Sequence, residues 1–113
     1  MSTDIVTSVI NRDPALAPLY AALAERVLEL GPIAIEPKKT SVHFKSRVTF
    51  AGMHVRKGFL PLQIVTNDPI QSDRVVRVDR VSANRVHNHV RVASRADLDE
   101  ELSWLARAYA LAS

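Results

Sequence analysis

The chain contains no cysteine in its 113 residues. Disulfide frameworks, cysteine-ligated zinc and thiol nucleophiles are therefore excluded, and a reducing compartment suits the chain as well as any. Only three glycines are present, and they form neither a Gly-rich phosphate loop nor a Gly-x-Ser-x-Gly elbow. Aromatic residues make up 5%, which leaves little for stacking on nucleobases. No apolar run approaches the ~20 residues needed to span a bilayer. The opening MSTDIVTSVINRDP lacks the basic head and continuous apolar stretch of a secretory signal. The expectation is a cytoplasmic chain with no membrane association.

What is present is ordinary globular composition, 47% apolar and 24% charged, at a length that buries one core without a staple. A single domain over residues 1–113 is expected. The net charge of +3 conceals a split. Residues 38–95 hold twelve Lys/Arg against three Asp, while the flanks hold three Arg against nine acids. Such asymmetry either marks a surface for an anionic partner or arises where basic strands face acidic helices of the same domain.

The acidic flanks read as helices. Leu16, Tyr20, Leu23, Val27 and Leu30 recur at the 3.6-residue period, Asp13-Pro14 supplies an N-cap and first position, and Gly31-Pro32 stops the run. Pro18 is tolerated early in that helix or resets its start to residues 17 and 18. Residues 5–10 suggest a short amphipathic helix, with a strand as the alternative. At the other end, Ser94 precedes Asp97 as in a loose capping box, and Leu98, Leu102, Leu105 and Tyr109 form the expected buried stripe. Asp97, Asp99, Glu100 and Glu101 read as surface acids that favour the positive end of the helix dipole.

Between the helices, alternating β-branched segments predict strands near residues 33–37, 40–46, 48–56, 59–66, 74–82 and 85–93. Arg56-Lys57-Gly58 and Ser82-Ala83-Asn84 suit hairpin turns, with Gly58 and Asn84 able to take positive φ. The irregular stretch NDPIQSD, residues 67–73, is either a plain crossover or a recognition loop. The fold expected is a two-layer α+β domain, an antiparallel sheet of about five to six strands with N- and C-terminal helices on one face.

Strand alternation then describes the other face. Val42 and Phe44 point inward while His43, Lys45 and Arg47 point outward. Val86, Asn88, Val90 and Val92 point inward while Arg85, His87, His89 and Arg91 share the outward side. With Lys38 and Lys39 at the edge of this sheet, these cations form a candidate anion-binding set. The pair in VHNHVRV has the spacing of two metal ligands, and His43 is the third that a metal would need, with His54 a poorer one. Arg85 and Arg91 beside the pair, with no acid nearby in sequence, oppose a divalent cation, so no metal and no cofactor are assigned. Trp104 lies off the centre of the last helix's stripe, either as a boundary residue or as a partner contact.

The segments LGPIAIEPKKTSVHF, VTFAGMHVRKGFLPLQI and HNHVRVASRADLDEELSWLARAYALA together resemble the bacterial family named domain of unknown function 5655, over nearly the whole chain. The most recognisable pieces are Pro37-Lys38-Lys39-Thr40, Phe50-Ala51, and the strand from His89 leading through Ser94 and Asp97 to Trp104-Leu105. The resemblance implies a small soluble bacterial α+β domain, found alone or joined to other domains, with no established activity and hence no catalytic residues to carry over.

The function expected from the residues is a non-catalytic binding module. Its basic sheet face, built from Lys38, Lys39, Lys45, Arg47, Arg85, His87, His89 and Arg91, would contact nucleic acid or a phosphorylated ligand. The alternative is a protein-interaction or dimerisation module using the sheet edge or Trp104. A metal enzyme at His43, His87 and His89 ranks last. Histidines titrating near ~6.5 would strengthen anion binding in mild acid.

Overall fold

The first helix begins where Asp13 Oδ1 accepts a hydrogen bond from the Ala15 N–H at 3.3 Å. The computed structural model describes residues 13–113, so the segment expected at residues 5–10 lies outside the described residues. Pro14–Leu16 form a 3-10 turn that runs into α1, Ala17–Leu28, with Pro18 at its second position. Both prolines stand in a first turn, where the N–H that they lack has no intrahelical partner. The second carboxylate oxygen of Asp13 accepts from Gly58 N–H at 2.8 Å. One side chain thus caps the helix entry and ties it to a hairpin tip. After α1 the chain turns at Gly31, whose φ is +150° and whose added Cβ would lie 2.2 Å from Tyr109 Oη. Only glycine fits there, for both reasons.

Six strands follow, β1 (Ala34–Pro37), β2 (Val42–Lys45), β3 (Thr49–Met53), β4 (Leu60–Thr66), β5 (Arg77–Ser82) and β6 (Arg85–Val92), before α2, Arg95–Ala112. They form one antiparallel sheet in the order β1-β2-β3-β4-β6-β5. The expected α+β architecture is what the structure has, with α1 and α2 at the two ends of the described chain. Gly58 takes its expected positive φ of +90° in the β3–β4 hairpin, but Asn84 does not, since among the described residues only glycines have positive φ. A register shift between Arg80 and Ser82 absorbs the twist of the β5–β6 turn instead.

The inward rows of the sheet are Val42 and Phe44 on β2, Leu60, Leu62 and Ile64 on β4, and Val86, Val90 and Val92 on β6, all buried. Leu19, Leu23 and Val27 of α1 and Leu98, Leu105, Ala108 and Ala112 of α2 join the same core cluster. Helix α2 starts with Ser94 accepting from Asp97 N–H and Asp97 accepting from Ala93 N–H. Its inward face differs from the stripe expected. Leu102 and Tyr109 are only half-buried, and the centre is held by Leu105, Ala108 and Glu101. The small Ala108 and Ala112 leave room for close approach to the sheet, while Tyr109 packs edge-on against Phe50 at 5.6 Å. No helix among the described residues is long and apolar enough to cross a membrane.

The one break in strand sequence is at residues 67–76, where the chain leaves β4, passes β6 and starts β5 at the outer edge. A buried amide holds it there. Asn88, inward on β6 and 0% exposed, donates from Nδ2 to Ile64 O at 3.0 Å and Thr66 Oγ1 at 2.8 Å, and accepts from Ile70 N–H at 2.9 Å. Thr66 in turn donates to Asp68 O. The segment expected as crossover or recognition loop is thus a crossover, anchored with Ile70 in the core. Asn88→Leu keeps the branching of the side chain but orphans the Ile70 N–H and two acceptors. Urea unfolding should show a loss of about 3 kcal/mol; an unchanged midpoint would mean that the crossover does not depend on this amide.

Candidate anion-binding face

The register decides which polar side chains share the sheet face opposite the helices. One row crosses all six strands as Glu36, His43, Gly52, Gln63, His89 and Arg77. A second brings Val65, His87 and Asp79 together, and Pro61 stands opposite Arg91. Lys45 pairs with Ala34 and Thr49 on the same face. Of the eight residues named from sequence, Lys45, Arg85, His87, His89 and Arg91 therefore lie on this face. Lys38 and Lys39 are exposed in the β1–β2 turn, and Arg47 is exposed in the β2–β3 turn, where its N–H donates to Ala112 O. The eight do not form one cluster. His43 lies over Gly52, whose missing side chain leaves the imidazole its space.

The face is less uniformly cationic than strand alternation implies. Asp79 on β5 accepts from His89 at 3.0 Å and pairs with Arg77 at 3.0 Å. Arg85 Nε donates to His87 Nε2 at 3.3 Å, a contact that needs a neutral His87. Burial, then the Arg85 and His89 charges, hold the His87 pKa below its ordinary value. His43 is held down by burial, Lys38 and His54 against the opposing pull of Glu36. Their charge therefore arrives at lower pH than the sequence-based expectation near ~6.5.

The two outward histidines of β6 do not meet His43. Strands β2 and β6 are three interstrand spacings apart, about 14 Å, too far to share one first-row metal. Among the described residues no group of three His, Asp or Glu side chains is placed to hold a metal ion. His54 is exposed, with Nδ1 at 3.2 Å from Thr40 O.

A depression of about 270 Å³ does open on this face, lined in part by His54, Arg56, Phe59, Gln63, His89 and Arg91. The Arg91 guanidinium lies 5.1 Å from the Phe59 ring centroid, a cation–π contact that aims it across the floor. Among the described residues no carboxylate lines the depression. A family model described as Domain of unknown function (DUF5655) matches residues 6–112. The chain belongs to that family. No curated protein matches the chain, and no solved structure does. Every strand of the DUF5655 sheet, and every residue of the depression, falls within the matched span.

Sequence reasoning left Arg56, His54 and Phe59 out of the anion-binding set, because their proximity to Arg91 depends on β4 lying between β3 and β6. It also misplaced Glu101. That side chain is not a surface acid but 0% exposed, with both carboxylate oxygens lacking a hydrogen-bond partner. The available signal was its position three residues after Leu98 and four before Leu105, on the stripe itself. Arg74 of the crossover lies 3.9 Å away, but it binds Asp97 at 2.7 Å and also bonds to Glu100. Burial, reinforced by Asp97 and only partly opposed by Arg74, pushes the Glu101 pKa up to about 8. Trp104 is half-buried and packs against the core.

A pKa raised on folding means that the neutral acid is the form the fold prefers. Its stabilising contribution is complete below ~4.5, the unfolded value, and is lost as pH rises through about 8. By pH 7 the loss is roughly 3 kcal/mol. Glu101→Gln keeps a neutral side chain throughout, so the variant should exceed wild type in urea midpoint at pH 8, with the gap closing toward pH 4.5. A variant less stable than wild type at pH 8 would show instead an ionised Glu101 paired with Arg74.

Proposed function

We propose that this DUF5655 domain is a non-catalytic binding module that takes a phosphate-bearing partner on the open face of its sheet. The observation that supports this is the depression lined by Arg56 and Arg91, with His54, His89 and Gln63 and, among the described residues, without a carboxylate. Arginine is suited to phosphate because its planar fork donates two parallel hydrogen bonds. Lys38, Lys39, Lys45, Arg47 and Arg85, spread around the depression rather than in it, would extend the positive field for a longer ligand.

Size and shape favour a phosphate chain over an enclosed metabolite. About 270 Å³ lies below the usual range of ~300–1,000 Å³ for small-molecule sites, and the depression is open. Sparse aromatics predict backbone contact with weak sequence preference. Single-stranded and double-stranded nucleic acid are therefore the first partners to test.

Fluorescence anisotropy of labelled oligonucleotides, titrated with the protein at low and near-physiological salt, tests this. Binding should weaken steeply as salt rises. Arg91→Ala and Arg56→Ala should each weaken it about five-fold or more and lower the salt slope by about one unit. Because His43 and His87 charge only in more acid solution, affinity should rise little between pH 8 and 6.5 and more below that. Absence of binding at either salt, or variants indistinguishable from wild type, would remove this face as the phosphate site.

A further inference from the structure

Among the described residues the sheet has two free edges of different character. At one, β1 is four residues long and ends in Pro37, which cannot donate to a further strand. At the other, β5 is six residues long and its outer side has no partner strand among the described residues. Three valines beside each other at this edge are exposed, Val76 at 56%, Val78 at 41% and Val81 at 56%. An edge with apolar side chains and unpaired backbone is a template for another strand.

The charges along β5 select what that strand is. Two copies pairing antiparallel about a two-fold axis must place the axis through a residue, perpendicular to the sheet, so that side chains of one face meet the same face. Centring on Arg77 or Arg80 sets arginine against arginine, and centring on Asp79 sets aspartate against aspartate. Centring on Val78 sets each Arg77 opposite the other copy's Asp79 on the polar face. On the helix side it sets Val78 against Val78. Opposite charges and apolar pairs directly across strands are stabilising, and like charges are not.

We propose that two copies of this chain join through the outer edges of β5, antiparallel and centred on Val78, into one continuous sheet. Arg77 and Asp79, already paired within each copy at 3.0 Å, become a closed square of alternating charge. Both helical layers fall on one side and both open faces on the other. The two β6 rows stand three strand spacings apart, about 14 Å. The assembly does not depend on phosphate binding.

Sedimentation equilibrium of the full chain tests it. Wild type should run at twice the monomer mass. Arg77→Asp and Asp79→Arg should each be monomeric alone, since each sets like charges across the axis. Mixed in equal amounts they should form a heterodimer, and the double swap in one chain should restore the homodimer. In a chain without cysteine, Val78→Cys should crosslink to its own copy under mild oxidation, because directly facing Cα atoms there lie ~4.5–5.5 Å apart, within the range a disulfide spans. Val48→Cys, also exposed, should not. The crosslink decides the matter should a charge variant fail to fold. A wild type that stays monomeric at every attainable concentration overturns the proposal. So does a dimer that both single variants keep, or that Val78→Cys does not trap.

Discussion

The hydrogen bonds of one amide, Asn88, set the order of the sheet. A polar side chain fully buried among valines is unfavourable unless its donors and acceptor are used, and here they are used on β4, on Thr66 and on the crossover. The bond to Ile70 holds the chain over β6 as it passes to the outer edge, so that β6 returns between β4 and β5. Arg91 is thereby brought beside β4 and the β3–β4 hairpin, and β5 is left outermost. Both surfaces considered above, the depression and the free edge, follow from that placement.

Much of the fold was legible in local patterns. Asp13 and Ser94 mark helix starts because a short polar side chain before a periodic apolar run has orphan N–H groups to satisfy. Gly31 marks a stop, and alternation over residues 42–45 and 85–92 identifies strands together with the side each residue takes. Strand order was not legible, because it depends on pairings between distant segments and on a crossover held by Asn88. For the same reason the sequence reading collected Lys38, Lys39, Arg47 and the outward residues of β6 into one set but left out Arg56, Phe59 and His54. Glu101 was misjudged because acids after an N-cap usually face water, whereas here Ala108 and Ala112 turn that side of α2 toward the sheet.

The charge split of the chain resolves into two different arrangements. Part of it is internal complementarity, as Arg74 of the basic middle binds Asp97 and Glu100 of the acidic helix, and Arg77 binds Asp79. Most of the remainder, Arg80 and Arg95 aside, lies on the open face and its turns, where among the described residues Arg56, Arg85, Arg91, Lys45, Lys38 and Lys39 have no carboxylate within ion-pair distance. Burial holds the His43 and His87 pKa values below the ordinary value, so at neutral pH these two add less charge to the face than its arginines and lysines.

The most direct measurement is the shift of backbone amide resonances as a short oligonucleotide is added at near-physiological salt. If the depression takes phosphate, the changes gather on Arg56, Phe59, Gln63, His89 and Arg91 and spare the outer surfaces of α1 and α2. Changes confined to the helical layer, or none at saturating oligonucleotide, would contradict that reading.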